Sequence, residues 1–168
     1  MNFSAKPAQS AYDFEFESIE GGRMPLSEYR GQTVLIVNTA SRCVFTLQLG
    51  PLRDLYKKYG GHGFTIIGVP SNDFQQEPEG NQQIKHFCKV NYLVNFPLTA
   101  KTHVRGKEAH PFFKWAAKQG GWFSAPSWNF YKYLIGPDGQ LISWHLPSTS
   151  PLSLRITGRI EQHLKYKP

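Results

Sequence analysis

Apolar runs separated by glycine- and proline-marked turns divide the chain into alternating strand-like and helix-like segments. Phe14-Glu-Phe-Glu-Ser-Ile19 alternates apolar and polar positions, as a half-buried strand does, and Glu20-Gly21-Gly22 turns it. Thr33 to Val37 is continuous and β-branched, which predicts a strand buried on both faces. Leu52, Leu55, Tyr56 and Tyr59 recur at helical spacing, and Gly60-Gly61 ends that helix. Phe64-Thr-Ile-Ile-Gly-Val69 is a second buried strand, stopped by Pro70. Residues 79–90 predict a helix with Ile84, Phe87 and Cys88 on one face. Pro111 opens another through Trp115 and Lys118, closed by Gly120-Gly121. Phe130 to Ile135, Pro137-Asp-Gly139 and Gln140 to Leu146 predict strand, turn and strand. Leu152, Ile156, Ile160 and Leu164 mark a last amphipathic helix.

Strand, helix and strand over 33–69 form a βαβ unit, which implies parallel pairing and a crossover connection. The hairpin at 130–146 and the final helix extend it to a mixed central sheet with helices on both faces. That outline is an α/β sandwich of thioredoxin-like type. No linker, repeat or composition break divides residues 1–168, so one domain is expected, with residues 1–11 as an N-terminal tail.

Composition narrows the function. Forty per cent of residues are apolar, which excludes a disordered chain. The longest apolar run, Val34 to Val37, is far short of the ~20 residues that span a bilayer. The first residues carry no apolar core of a signal peptide, and the expected location is cytoplasmic. Nineteen Lys and Arg against 12 Asp and Glu leave a net charge of +7. The cations are scattered, however, without a nucleic-acid-binding motif, so no nucleic-acid partner is expected and the charge reads as a solubilising surface that favours anionic partners. Two cysteines and six scattered histidines make no metal quartet, and neither a metal nor a cofactor is expected. Two cysteines are also too few for a disulfide framework and fit thiol chemistry in a reducing compartment.

Cys43 is where that chemistry points. It follows the buried strand at 33–37 and precedes the helix at 52–59, near helix N–H groups that favour a thiolate. Arg42 adds a positive neighbour. The competing reading is an inert buried thiol, but Cys43 lies in a loop between polar residues, Ser41-Arg42 and Thr46. Pro51 cannot donate to a carbonyl four residues back. Regular helix therefore starts at Pro51, or its first turn is distorted.

The segment Val37-Asn-Thr-Ala-Ser-Arg-Cys43-Val-Phe-Thr46 resembles the nucleophile motif of the glutathione peroxidase family. Three more motifs follow in order: Gly68-Val-Pro-Ser-Asn-Asp-Phe74 with Gln76-Glu-Pro78, Ala109-His-Pro111, and Trp128-Asn-Phe130. The resemblance runs from about Tyr12 to the last helix. It implies a thioredoxin-like fold and reduction of hydroperoxides by Cys43, which becomes a sulfenic acid. It also implies that Trp128 and Asn129 stand beside the sulfur as hydrogen-bond donors.

The chain departs from the family pattern in several places. The family's Gln falls on Asp73, a cysteine two residues earlier is Ser71, and one loop residue is missing between Phe74 and Gln76. An ionised Asp73 donates no hydrogen bond and disfavours a nearby thiolate. Either Asp73 is protonated, or Gln75 or Gln76 swings in, or the site is slower. Val44 and Leu47 replace a glycine and a proline and are expected to crowd the pocket mouth. Cys88, 45 residues after Cys43, resembles the resolving cysteine of the thioredoxin-dependent branch. A Cys43–Cys88 disulfide, reduced by thioredoxin with glutathione as second choice, is then implied, and the helix bearing Cys88 has to open for it. The long loop of tetrameric members before Trp128 is absent, which implies a monomer with an open site for bulky lipid hydroperoxides, with Trp122 and Phe123 as candidate contacts. Two alternatives share these residues: a peroxide sensor that relays oxidation to a partner, and an inactive thioredoxin-fold binding module.

Overall fold

The computed structural model describes residues 10–164. A hairpin of two short strands, β1 (Glu15–Glu17) and β2 (Arg23–Pro25), opens the chain. It pairs Phe16 with Met24 and stands apart from the main sheet. The rest is built from β3 (Thr33–Thr39), α1 (Leu49–Tyr59), β4 (Phe64–Pro70), α2 (Asn81–Tyr92), α3 (Pro111–Gly120), β5 (Lys132–Ile135), β6 (Leu141–His145) and α4 (Leu154–His163). The four-stranded sheet runs β4-β3-β5-β6. β3 and β4 are parallel, as the βαβ unit requires, whereas β5 and β6 add antiparallel neighbours. This is the mixed α/β sheet expected from the element order.

Alternation along the strands creates two apolar layers. Leu35, Val37, Phe64, Ile66, Phe130 and Leu134 face one side, where α1, α2 and α4 pack through Leu52, Leu55, Ile84, Cys88, Ile156 and Ile160. Val34, Ile36, Ile67, Val69, Tyr131 and Tyr133 face the other, against Phe112, Phe113 and Trp115 of α3. Every residue of β3 and β4 is buried, which explains their unbroken apolar runs.

Several boundaries differ from the sequence pattern for identifiable reasons. The strand expected at 14–19 is only three residues long and finds its partner in β2. β5 begins at Lys132 rather than Phe130 because Phe130 adopts a left-handed φ of 67°. α1 starts at Leu49, so Pro51 lies in its first turn, where a missing N–H costs nothing. A 3₁₀ turn, Val44–Gln48, precedes it and is the distorted entry that Pro51 foreshadowed. The tail expected over 1–11 falls mostly outside the described residues. Ser10 and Ala11, at its end, instead form the cap and first residue of a 3₁₀ turn, with Ala11 buried.

Candidate active site

The loop from β3 to α1 is folded by one hydroxyl. Thr46 Oγ1 donates to the Ala40 carbonyl at 2.7 Å and accepts from the Cys43 N–H at 3.0 Å. Cys43 thereby becomes the N-cap of the 3₁₀ turn, and the Phe45 N–H donates to its Sγ at 3.4 Å. The thiol is buried, while Val44 and Leu47 beside it are 77% and 71% exposed. They form an apolar rim rather than the crowded mouth expected of them. Arg42 directs its guanidinium to Glu79 at 2.8 Å, so its charge is engaged away from the sulfur.

A second loop, after β4, reaches the nucleophile loop through the backbone, where the Arg42 N–H donates to the Gln76 carbonyl at 3.1 Å. Asn129 is fully buried, and its Nδ2 donates to Gln76 Oε1 at 2.9 Å. Two side-chain amides thus meet next to the residue preceding Cys43. The turn that presents Asn129 is pinned by Asn38 of β3, whose Nδ2 donates to the Trp128 carbonyl and whose carbonyl accepts from Phe130 N–H. Trp128 is partly exposed and packs on Phe74, ring centres 5.7 Å apart.

Asp73 does not take the family Gln's role by its geometry. One carboxylate oxygen bonds the His103 ring nitrogen at 2.7 Å, and the other accepts from the Val104 and Arg105 N–H groups at 2.7 and 3.0 Å. Burial pushes this carboxyl up, but the His103 ring and the two amides more than offset it, so the net shift is downward. Asp73 is therefore an ionised anchor for the 103–105 loop. Of Gln75 and Gln76, it is Gln76 whose side chain bonds Asn129. Gln75 adopts a left-handed φ of 58° just before Gln76, which bonds Asn129. Ser71 is buried at the end of this strand and caps the turn by accepting from Asp73 N–H at 3.3 Å.

Cys88 has a different setting. It is a free, buried thiol on α2, within the same apolar layer as Cys43. Burial, with Glu77 adding to it, pushes this thiol up to about 12. Glu77, which the sequence reading passed over, is almost wholly buried. It accepts from Ser41 Oγ at 2.9 Å, and its Oε1 is without a partner. Burial raises this carboxyl too. Its only sequence signal was its place between Gln76 and Pro78. On its other side Cys88 lines a cavity of about 360 Å³ between α2, the β1–β2 hairpin and residues 94–98. Trp122 and Phe123 stack on each other at 3.9 Å in an exposed turn after α3.

A thiol that accepts a backbone N–H at the start of a turn is a group suited to attack by sulfur on a polar bond. The family model for glutathione peroxidase matches residues 11–117. The chain belongs to the glutathione peroxidase family. It is 44% identical over 149 residues to "glutathione peroxidase homolog BsaA" of Halalkalibacterium halodurans, covering 87% of this chain and 95% of that protein. It is 38% identical over 148 residues to "hydroperoxy fatty acid reductase gpx1" of Synechocystis, covering 83% and 88%. Among solved structures it resembles the apo crystal structure of Trgpx, with a TM-score of 0.73 and 33% identity over 96% of this chain and 100% of that one. A thioredoxin-family thiol:disulfide interchange protein from Chlorobium tepidum, 15% identical with a TM-score of 0.67 over 95% of this chain and 98% of that one, shows the shared thioredoxin fold. As a glutathione peroxidase family member the chain is a peroxidase, which implies a hydroperoxide substrate and a thiol reductant. No helix among the described residues is long and apolar enough to cross a membrane.

Proposed function

We propose that this peroxidase works through Cys43 as peroxidatic thiol and Cys88 as resolving thiol, with thioredoxin as reductant. The Cys43 thiolate attacks the terminal oxygen of the hydroperoxide. A sulfur–oxygen bond forms, the O–O bond breaks, and the departing alkoxide takes the proton that the thiol gave up. Cys88 then displaces hydroxide from the sulfenic acid, which leaves as water, and the Cys43–Cys88 disulfide is reduced by exchange. The observation that carries this reading is the Cys43 thiol that accepts from Phe45 N–H, on a loop tied through the Arg42 N–H to Gln76, whose side chain bonds Asn129. Trp128 completes the surroundings from the same turn as Asn129. Gln76, rather than Asp73, supplies the carboxamide.

Organic and lipid hydroperoxides are proposed as substrates beside hydrogen peroxide. The apolar rim of Val44 and Leu47 and the fatty-acid hydroperoxide named for the Synechocystis relative both support this. The cycle needs a reducing compartment such as the cytoplasm, and the short segment before Trp128 supports a monomer. Peroxide consumption coupled through thioredoxin and its reductase to NADPH tests the proposal. Cys43→Ser is expected to lower the rate at least ~1,000-fold, on the scale of losing a nucleophile. Cys88→Ser is expected to retain one oxidation of Cys43 and lose steady turnover with thioredoxin. Undiminished turnover with glutathione in the Cys88→Ser protein would replace thioredoxin by glutathione as the reductant.

A further inference from the structure

Lys132 is the one Lys or Arg side chain that is fully buried among the described residues. A buried ammonium is costly unless it is paired. No carboxylate among the described residues bonds to it. Its Nζ donates instead to three backbone carbonyls: Phe130 at 2.9 Å, Pro147 at 3.3 Å and Leu146 at 3.5 Å. The hydrogen bonds are thus satisfied while the charge is not, and burial pulls the group down to about 7. Its surroundings add no anion. His145 lies directly opposite on β6, and burial, followed by Lys132, Arg159 and Arg155, pulls that imidazole down to about 4. Glu161 of α4 accepts from the Tyr59 hydroxyl.

Two features tie this cation to the peroxidatic site. Alternation along β5 puts Tyr131 and Tyr133 in the α3 layer and Phe130 and Leu134 in the Cys43 layer, so Lys132 belongs to the layer of Cys43. The carbonyls it holds also belong to the loops that build the site. Phe130 directly follows Trp128-Asn129. The Pro147 carbonyl accepts a second bond, at 2.6 Å, from Nε2 of Gln48, the last residue of the 3₁₀ turn capped by Cys43.

We propose that Lys132 is a positioning residue of the peroxidase reaction. Its ammonium joins the Trp128–Asn129 turn to the turn that begins at Cys43, and its charge favours the anionic sulfur that forms there. A costly buried charge retained without a partner is then accounted for by the anion that appears only during the reaction. This inference rests on Cys43 as the peroxidatic residue, which Cys43→Ser tests separately.

The experiment measures stopped-flow oxidation of Cys43 by hydrogen peroxide, alongside thermal melting, in Lys132→Gln, Lys132→Met and Lys132→Arg proteins. Gln keeps a donor for the carbonyls and removes the charge; Met removes both; Arg keeps both. Oxidation is expected to fall at least tenfold in the Gln and Met proteins. Arg is expected to recover the rate to within about threefold of the parent. Melting of the Gln protein at pH 6 is expected at or above the parent's, because the cost of burying a charge is gone. Loss of rate without loss of stability is a signature that packing alone does not give. A Gln protein that oxidises at the parent rate would overturn the proposal, as would rates that follow melting temperature across the three variants. If Cys43→Ser protein still reduces peroxide, the peroxidatic assignment itself is at fault.

Discussion

The two cysteines share an apolar layer yet sit in opposite chemical settings. Cys43 stands on a loop, with a backbone N–H on its sulfur. Cys88 is in the middle of a helix, with its thiol pushed up to about 12 by burial and by the Glu77 carboxylate. One sulfur accepts a backbone N–H, whereas burial disfavours ionisation of the other. In the proposed cycle Cys43 is oxidised in the folded state, and resolution requires α2 to open and expose the buried Cys88. The ends of α2 are weakly fixed. Its N-cap is Gly80, with no side-chain cap, and its C-cap, Leu93, is held at a left-handed φ of 52°, a conformation that disfavours a Cβ-bearing residue.

The first way to break this contrast is at the Gln76–Asn129 pair. Gln76→Ala is expected to slow Cys43 oxidation ten- to a hundredfold, the loss of about 1.5–3 kcal/mol from a hydrogen bond to a developing charge. Its Cys43-to-disulfide step should change much less. Stopped-flow tryptophan fluorescence, with Trp128 as reporter, separates the two phases.

The second acts on Cys88 alone. A thiol raised by burial contributes stability that is intact below its unfolded value, ~8.5, and is lost as pH climbs toward the folded value. Above pH ~8.5 opening of α2 is then favoured, and disulfide formation should accelerate by about tenfold per pH unit. A disulfide phase flat between pH 8 and 10 would mean that Cys88 is already accessible.

Leu93→Gly sharpens the same point more gently. Relief of the left-handed strain stabilises α2 by roughly 0.5–1 kcal/mol, so resolution should slow two- to fivefold with Cys43 oxidation unaffected. Double-jump quenching with mass detection reads it.

The smallest expected effect is at Asp73. Asp73→Asn should change Cys43 oxidation by less than about threefold, because its carboxylate bonds the 103–105 loop and not the site. It should instead lower stability by about 1 kcal/mol, after allowance for the exposed His103 ring. The lowered Asp73 carboxyl contributes above its unfolded value near 3.9 and loses that contribution as pH falls. The raised His103 ring contributes below its unfolded value near 6.5 and loses that contribution as pH rises through its folded value. Denaturant melts at pH 5 and pH 8 should therefore show the larger difference at pH 5.

The sheet was legible because β3 and β4 are buried on both faces and leave continuous apolar runs, and the helices because their apolar positions recur at 3.6-residue spacing. The candidate site was legible as motifs at fixed order, but not as roles. Counting along the chain put Asp73 at the glutamine position. Counting cannot show that Asp73 turns to the 103–105 loop while Gln76, after a left-handed Gln75, bonds Asn129. Lys132 was passed over because backbone carbonyls, which carry no sequence signal, hold it: Phe130 two residues back, and residues 146 and 147 just after β6. The 3₁₀ turn at Cys43 was half legible, since Pro51 signalled a distorted entry without showing that Thr46 folds it.

In the proposed cycle α2 opens and Cys88 resolves the oxidised Cys43. Non-reducing mass analysis of peroxide-treated protein, with peptide mapping, tests it most directly. The account predicts a monomer lighter by two hydrogens, with one cross-linked peptide pair joining Cys43 to Cys88. A product that gains oxygen at Cys43 while Cys88 remains a free thiol would contradict it.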